Sequence, residues 1–148
     1  MNFTAIPQVE RSVGRHLLID GFTASAEPLA SAPALESLFQ DLVRSLGMEI
    51  LVPPVTKEVP LDADKLASAS DEGGITSFCV ITTSHLSIHT WPLRRFFSMD
   101  VYSCKDFDAE AAIAFIRERL GCVSVNVVDV VRTAPAAPEM AALAEAAR

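Results

Sequence analysis

Apolar residues along this chain recur in two periods, and the switches between them mark the elements. His16-Leu17-Leu18-Ile19-Asp20-Gly21-Phe22 is a largely apolar run that predicts a first, buried strand. Leu35, Leu38, Phe39, Leu42, Val43 and Leu46 then fall on one helical stripe, opened by Ser31 to Pro33 and closed by Gly47. Met48 to Val52 predicts a second strand, stopped at Pro53-Pro54. From Pro53 to Gly73 there is no sustained period, which predicts a long connection of the kind that is functional or mobile. β-Branched and aromatic residues from Gly74 onward predict a strand ending at Ser84. His85 to Thr90 alternates, with His85, Ser87 and His89 on one face and Leu86, Ile88 and Thr90 on the other. After a turn carrying Arg94 and Arg95, Phe97, Met99 and Val101 alternate with Asp100, Tyr102 and Cys104.

A second helix follows, capped by Asp106 to Asp108 and ended by Gly121, with Ala109, Ala112, Ile113, Ile116 and Leu120 as its buried stripe. Val123 to Val131 predicts the last strand. Residues 1–13 read as a loosely held arm, 14–132 as the folded domain, and 133–148 as a tail whose Ala- and Glu-rich sequence suits a short helix. The element order predicts an α+β fold, with helices packed on one face of a largely antiparallel sheet in a single domain.

Composition narrows the function classes. A chain of 148 residues, 50% hydrophobic and 21% charged, is long enough for a real core. A net charge of −7 argues against nucleic acid or an anionic membrane as partner. No apolar run approaches the ~20 residues of a membrane span, and the opening MNFTAIPQVERSVG lacks the pattern of a signal peptide. Cys79, Cys104 and Cys122 are too few and too scattered for a disulfide framework, so a reduced, cytoplasmic protein is expected.

Chemistry concentrates in Thr82-Thr83-Ser84-His85-Leu86-Ser87-Ile88-His89-Thr90-Trp91-Pro92, which holds two of the three histidines and the only tryptophan. A histidine titrating near neutrality suits a base. His85 and His89 span ~13 Å on an extended strand, too far for one metal ion even with Cys104 in reach, so no metal is expected. Cys104 shares its strand face with Asp100 and Tyr102, while Cys79 and Cys122 have the company of core residues.

SHLSIHTWP followed by MDVYSC resembles the core of the bacterial S-adenosylmethionine decarboxylases, self-cleaving enzymes that make their own pyruvoyl cofactor. Gly14-Arg15-His16-Leu17-Leu18 is similar to the opening strand of that family. The resemblance implies cleavage between Thr83 and Ser84, a pyruvoyl group generated from Ser84, His89 as the residue assisting processing, and Cys104 as the proton donor in decarboxylation. It also implies S-adenosylmethionine as substrate, a role in spermidine synthesis, and a homodimer. Thr76 stands at the family's accessory serine, with Ser77 beside it. Thr76 and Ser84 are expected on one strand face, ~26 Å apart if extended, so they would have to meet across a dimer.

Three positions depart from the family. Thr83 replaces the glutamate before the processed serine, Leu93 replaces the glutamate that holds the substrate ribose, and Thr76 replaces the accessory serine. Leu93 keeps open a second reading, decarboxylation of another amino acid such as arginine or ornithine. Thr83 keeps open a third, an unprocessed binding or regulatory homologue. Asp62, Asp64, Asp71 and Glu72 in the long connection are candidate replacement carboxylates.

Overall fold

A computed structural model describes residues 12–65 and 72–134. The tail helix expected after residue 134, most of the N-terminal arm, and Asp71 lie outside the described residues. Eight principal elements follow in order: β1 (Ser12–Thr23), α1 (Ala32–Ser45), β2 (Ile50–Val59), β3 (Gly74–Ile81), β4 (Ser84–Trp91), β5 (Phe96–Ser103), α2 (Ala109–Leu120) and β6 (Cys122–Thr133). The strands form one six-stranded sheet in the order β2-β3-β4-β5-β1-β6. Every neighbouring pair is antiparallel. Both helices lie on one face, giving the expected α+β single domain.

Each helix starts and stops where its polar residues allow. The Ser31 hydroxyl accepts the Ala34 N–H at 3.3 Å, with Pro33 in the first turn of α1. The Asp108 carboxylate accepts the Ala111 N–H at 2.9 Å to open α2, and Gly121 closes it at φ +63°. Leu35, Leu38, Phe39, Leu42 and Val43 of α1 and Ala112, Ile116 and Leu120 of α2 pack on Leu17, Ile19, Cys79, Ile81, Leu86, Ile88, Phe97, Met99 and Val101 as one core. Each large aliphatic or aromatic side chain buried there contributes roughly 1.5–3 kcal/mol. The opposite sheet face carries no helix among the described residues.

Two expectations fail, both at strand ends. Pro53-Pro54 does not stop β2, which continues to Val59. β2 is the sheet edge and its pairing with β3 slips between Ile50, Val52 and Val55, so the missing proline N–H groups cost no ladder bonds. The strand predicted to run to Ser84 ends at Ile81, and Thr82-Thr83 turn the chain so that β4 begins at Ser84. β1 also reaches back to Ser12, and β6 forward to Thr133, because these two strands pair over that length.

The hairpin overturns a third expectation. Ser84 is in register with Ile81 and Ser103, both buried on the helix side, whereas Thr76 is exposed and in register with His89 on the open side. Thr76 and Ser84 therefore occupy opposite faces as well as opposite ends of the hairpin. Their shared face held only for a single continuous strand.

Candidate active site

Ser84 opens β4 with φ +150°, one of only two non-glycine residues with positive φ among those described. An L-residue held there costs of order 1–3 kcal/mol, and such strain gathers at functional sites. The residue before it is held from β5. The Cys104 N–H donates to the Thr83 carbonyl at 2.9 Å. The Ser103 hydroxyl donates to the Thr83 hydroxyl at 3.0 Å and accepts the Lys105 N–H at 3.0 Å. On the far side of the turn, the Thr82 N–H donates to the Glu49 carbonyl at 3.0 Å. Cys104 itself is exposed, just past the end of β5. Ser84, Thr83 and Cys104 are thus brought together, and the Thr83 carbonyl already faces a backbone donor.

His89 lies toward the other end of β4. Its Nδ1 is 3.0 Å from the Thr76 hydroxyl, a cross-strand pair on the open face. Ser77 points the other way: it is fully buried and its hydroxyl meets Thr56 at 2.9 Å. Thr76, and not Ser77, therefore accompanies His89. Trp91, Phe96 and Phe22 continue as an aromatic row, with ring centroids 5.4 and 5.2 Å apart. Ser98, in register with His89, donates to Asp20 of β1.

Leu93 sits partly exposed in the short turn Pro92–Arg94. Of the candidate replacement acids, Glu72 is wholly buried and takes the Arg94 Nε at 2.6 and 2.7 Å. Asp62 and Asp64 stay at a surface turn, where Lys65 is 3.7 Å from Asp62.

Between the two ends the open face holds a cluster that sequence reasoning missed. The Asp100 carboxylate accepts the Ser87 hydroxyl at 3.2 Å and lies 2.9 Å from His16 Nε2. His85 meets His16 and Tyr102 edge-on, Tyr102 is tilted against His16, and the Arg132 guanidinium lies 4.5 Å over the Tyr102 ring. The alternation of β5 put Asp100 on the polar face, but only the register of β1, β4 and β5 makes it the partner of His16 and Ser87. Ser103 was missed for a like reason: it reads as one more strand residue until the hairpin turn lands on it. The remaining cysteines fit a packing role, since burial pushes the Cys79 and Cys122 thiols up, and for Cys122 Arg117 offsets part of that.

Sequence and structure comparisons converge. The family model described as S-adenosylmethionine decarboxylase matches residues 15–133. The S-adenosylmethionine decarboxylase proenzyme of Pyrobaculum arsenaticum is 34% identical over 116 residues, covering 78% of this chain and 84% of that protein. The proenzyme of the same description from Clostridium botulinum (strain Langeland) is 27% identical over 120 residues, covering 80% and 93%. The crystal structure of the adenosylmethionine decarboxylase from Aquifex aeolicus superposes with a TM-score of 0.66 at 21% identity, covering 87% of this chain and 98% of that one. This last likeness concerns the fold.

Proposed function

The chain belongs to the S-adenosylmethionine decarboxylase family, and from that premise we propose that it cleaves itself between Thr83 and Ser84, carries the resulting pyruvoyl group, and decarboxylates S-adenosylmethionine as a two-fold dimer. One observation carries this reading: the Cys104 amide stands 2.9 Å from the Thr83 carbonyl oxygen, next to a strained Ser84. Attack by the Ser84 hydroxyl oxygen on the Thr83 carbonyl carbon puts negative charge on that oxygen, where a donor is already aligned. Aligned donors of this kind are worth about 10²–10³ in rate.

The peptide C–N bond then breaks, the Ser84 nitrogen takes up the hydroxyl proton, and an ester joins the two segments. Removal of the Ser84 α-proton expels Thr83 as a free carboxylate. Hydrolysis of the dehydroalanine left on the downstream segment releases ammonia and yields the pyruvoyl group. The strained φ at Ser84 has no counterpart in this product, because the bond about which φ turns is gone. When formed, the pyruvoyl group acts as the electron sink for the carbanion that remains as carbon dioxide leaves. Cys104, exposed beside the cleavage point, returns a proton to the substrate α-carbon.

His89 is the base for the Ser84 α-proton, with Thr76 orienting its ring. Within one chain, five residues of extended strand separate His89 from Ser84 by ~16 Å, too far for direct proton transfer. A second copy laid against the open sheet face, running in the opposite sense, carries its own His89 and Thr76 to the Ser84 end, where the backbone α-carbon, and not the helix-side hydroxyl, has to be reached. The exposed Leu18, Phe78 and Val128 supply apolar area for that contact. Free thiols at Cys79, Cys104 and Cys122 suit the reducing cytoplasm.

Intact mass spectrometry of the purified protein tests the reading. Two pieces of 83 and 65 residues are expected, the smaller beginning with a pyruvoyl group, and Ser84→Ala should remain whole. A wild-type chain that stays uncut on long incubation overturns it.

A further inference from the structure

Thr83 is where this chain departs from its family at the bond to be cut, and its surroundings show what threonine does there. Ser103 is fully buried and in register with Ser84. Its hydroxyl oxygen accepts the Lys105 N–H, so its single proton is free for one partner, and that partner is the Thr83 hydroxyl oxygen at 3.0 Å. The next residue, Cys104, donates its N–H to the Thr83 carbonyl at 2.9 Å. Thr83 is therefore gripped at two points by consecutive residues at the end of β5, one on its side chain and one on its carbonyl.

We propose that the Ser103–Thr83 hydroxyl pair is a positioning device for self-cleavage, which holds the Thr83 carbonyl on the Cys104 amide in place of the charged residue the family uses before its processed serine. The inference rests on the self-cleavage reading above. A β-branched side chain has few χ1 rotamers to choose from, so one hydrogen bond to its hydroxyl is enough to select one of them. With that rotamer set, the tether to Ser103 holds the Thr83 α-carbon against the end of β5, where the Cys104 amide fixes the carbonyl, a gain in orientation of the kind that lowers barriers. Without the Ser103 contact, Thr83 sits in a two-residue turn at the tip of the hairpin, free to rotate its carbonyl off the Cys104 donor.

Timed mass spectrometry of freshly translated protein reads the rate of cleavage directly, without reference to decarboxylation. Thr83→Val, which keeps the shape and removes the hydroxyl, and Ser103→Ala should each slow cleavage about tenfold, as expected for one lost hydrogen bond. The double variant should be no slower than either single one, because both remove the same contact. Thr83→Ser retains the hydroxyl and should cleave within about twofold of wild type, although it loses the methyl group. Thermal unfolding of each uncut chain, taken in the Ser84→Ala background, reports any loss of fold separately. Multiplying effects in the double variant, or Thr83→Val cleaving at the wild-type rate, overturns the inference and leaves self-cleavage standing. A wild-type chain that never cleaves overturns the self-cleavage reading and takes the inference with it.

Discussion

At its first residue β4 is gripped from both sides: the turn before Ser84 is tied to Glu49, Ser103 and Cys104, and the backbone is strained. At His89 the same strand lies open to solvent, with one hydroxyl partner and an aromatic row beyond it. The contrast matches what the proposed reaction asks of each end. Breaking a peptide bond from within needs a carbonyl that cannot turn away from its donor, so rigidity belongs at Ser84. The base we propose at His89 has to serve a second chain, and its exposure in the single chain suits that.

The sharpest way to break this comparison is to separate the two ends genetically. His89→Ala alone should leave the chain uncut, or stalled as an ester that hydroxylamine cleaves. Co-expressed with Ser84→Ala, which keeps its histidine, the His89→Ala chain should be cut, as mass spectrometry of the mixture would reveal. If it stays whole in proven mixed dimers, His89 does not act across the interface.

Cys104→Ala probes the Ser84 end after cleavage is complete. Its backbone amide remains, so cleavage should proceed, while turnover of S-adenosylmethionine per processed chain falls by about 10²–10⁴, the range for loss of a general acid. Equal failure of cleavage and turnover would show that the side chain, and not only the amide, serves the first reaction. At the His89 end, Leu93→Glu restores a carboxylate on the partly exposed turn after Trp91-Pro92. It should lower KM for S-adenosylmethionine about tenfold, as a charged hydrogen bond would, and an unchanged KM would remove that turn from the substrate pocket.

The smallest effect is expected from a control that touches neither end. Asp41 of α1 meets Arg119 of α2 at 2.7 Å and Arg44 at 2.8 Å. The hydrogen bond from Arg119 holds its carboxyl below the usual range. A carboxyl lowered on folding stabilises fully above its unfolded value, and that contribution is lost as pH falls through the folded one. Asp41→Asn should therefore lower the unfolding temperature slightly at neutral pH, the deficit closing in acid, with the cleavage rate unchanged. The pair is surface-exposed and screened, so the shift is small.

Most of the architecture was legible in the chain because it is written in local periods and end signals. The stripes of α1 and α2, their Ser31 and Asp108 caps, and the two faces of β4 and β5 each follow from residues a few positions apart. The motif around Ser84 also pointed to the family that the comparisons show, since such a motif is contiguous in sequence. What local pattern could not decide was which strands lie at the edge and which residues meet across the sheet. Pro53-Pro54 stops a central strand yet rides along an edge one, and nothing near them in sequence says which β2 is. Thr76 and Ser77 are adjacent and chemically alike, but the pleat sends the first to His89 and the second into the core. The contacts of Thr83 with Ser103 and Cys104 join residues about 20 positions apart, and they exist because the register of β4 against β5, with Ser84 opposite Ser103, sets the Thr82-Thr83 turn beside the end of β5. Register is a property of paired strands, selected by burying one whole face at once, and so it was settled only when the sheet assembled.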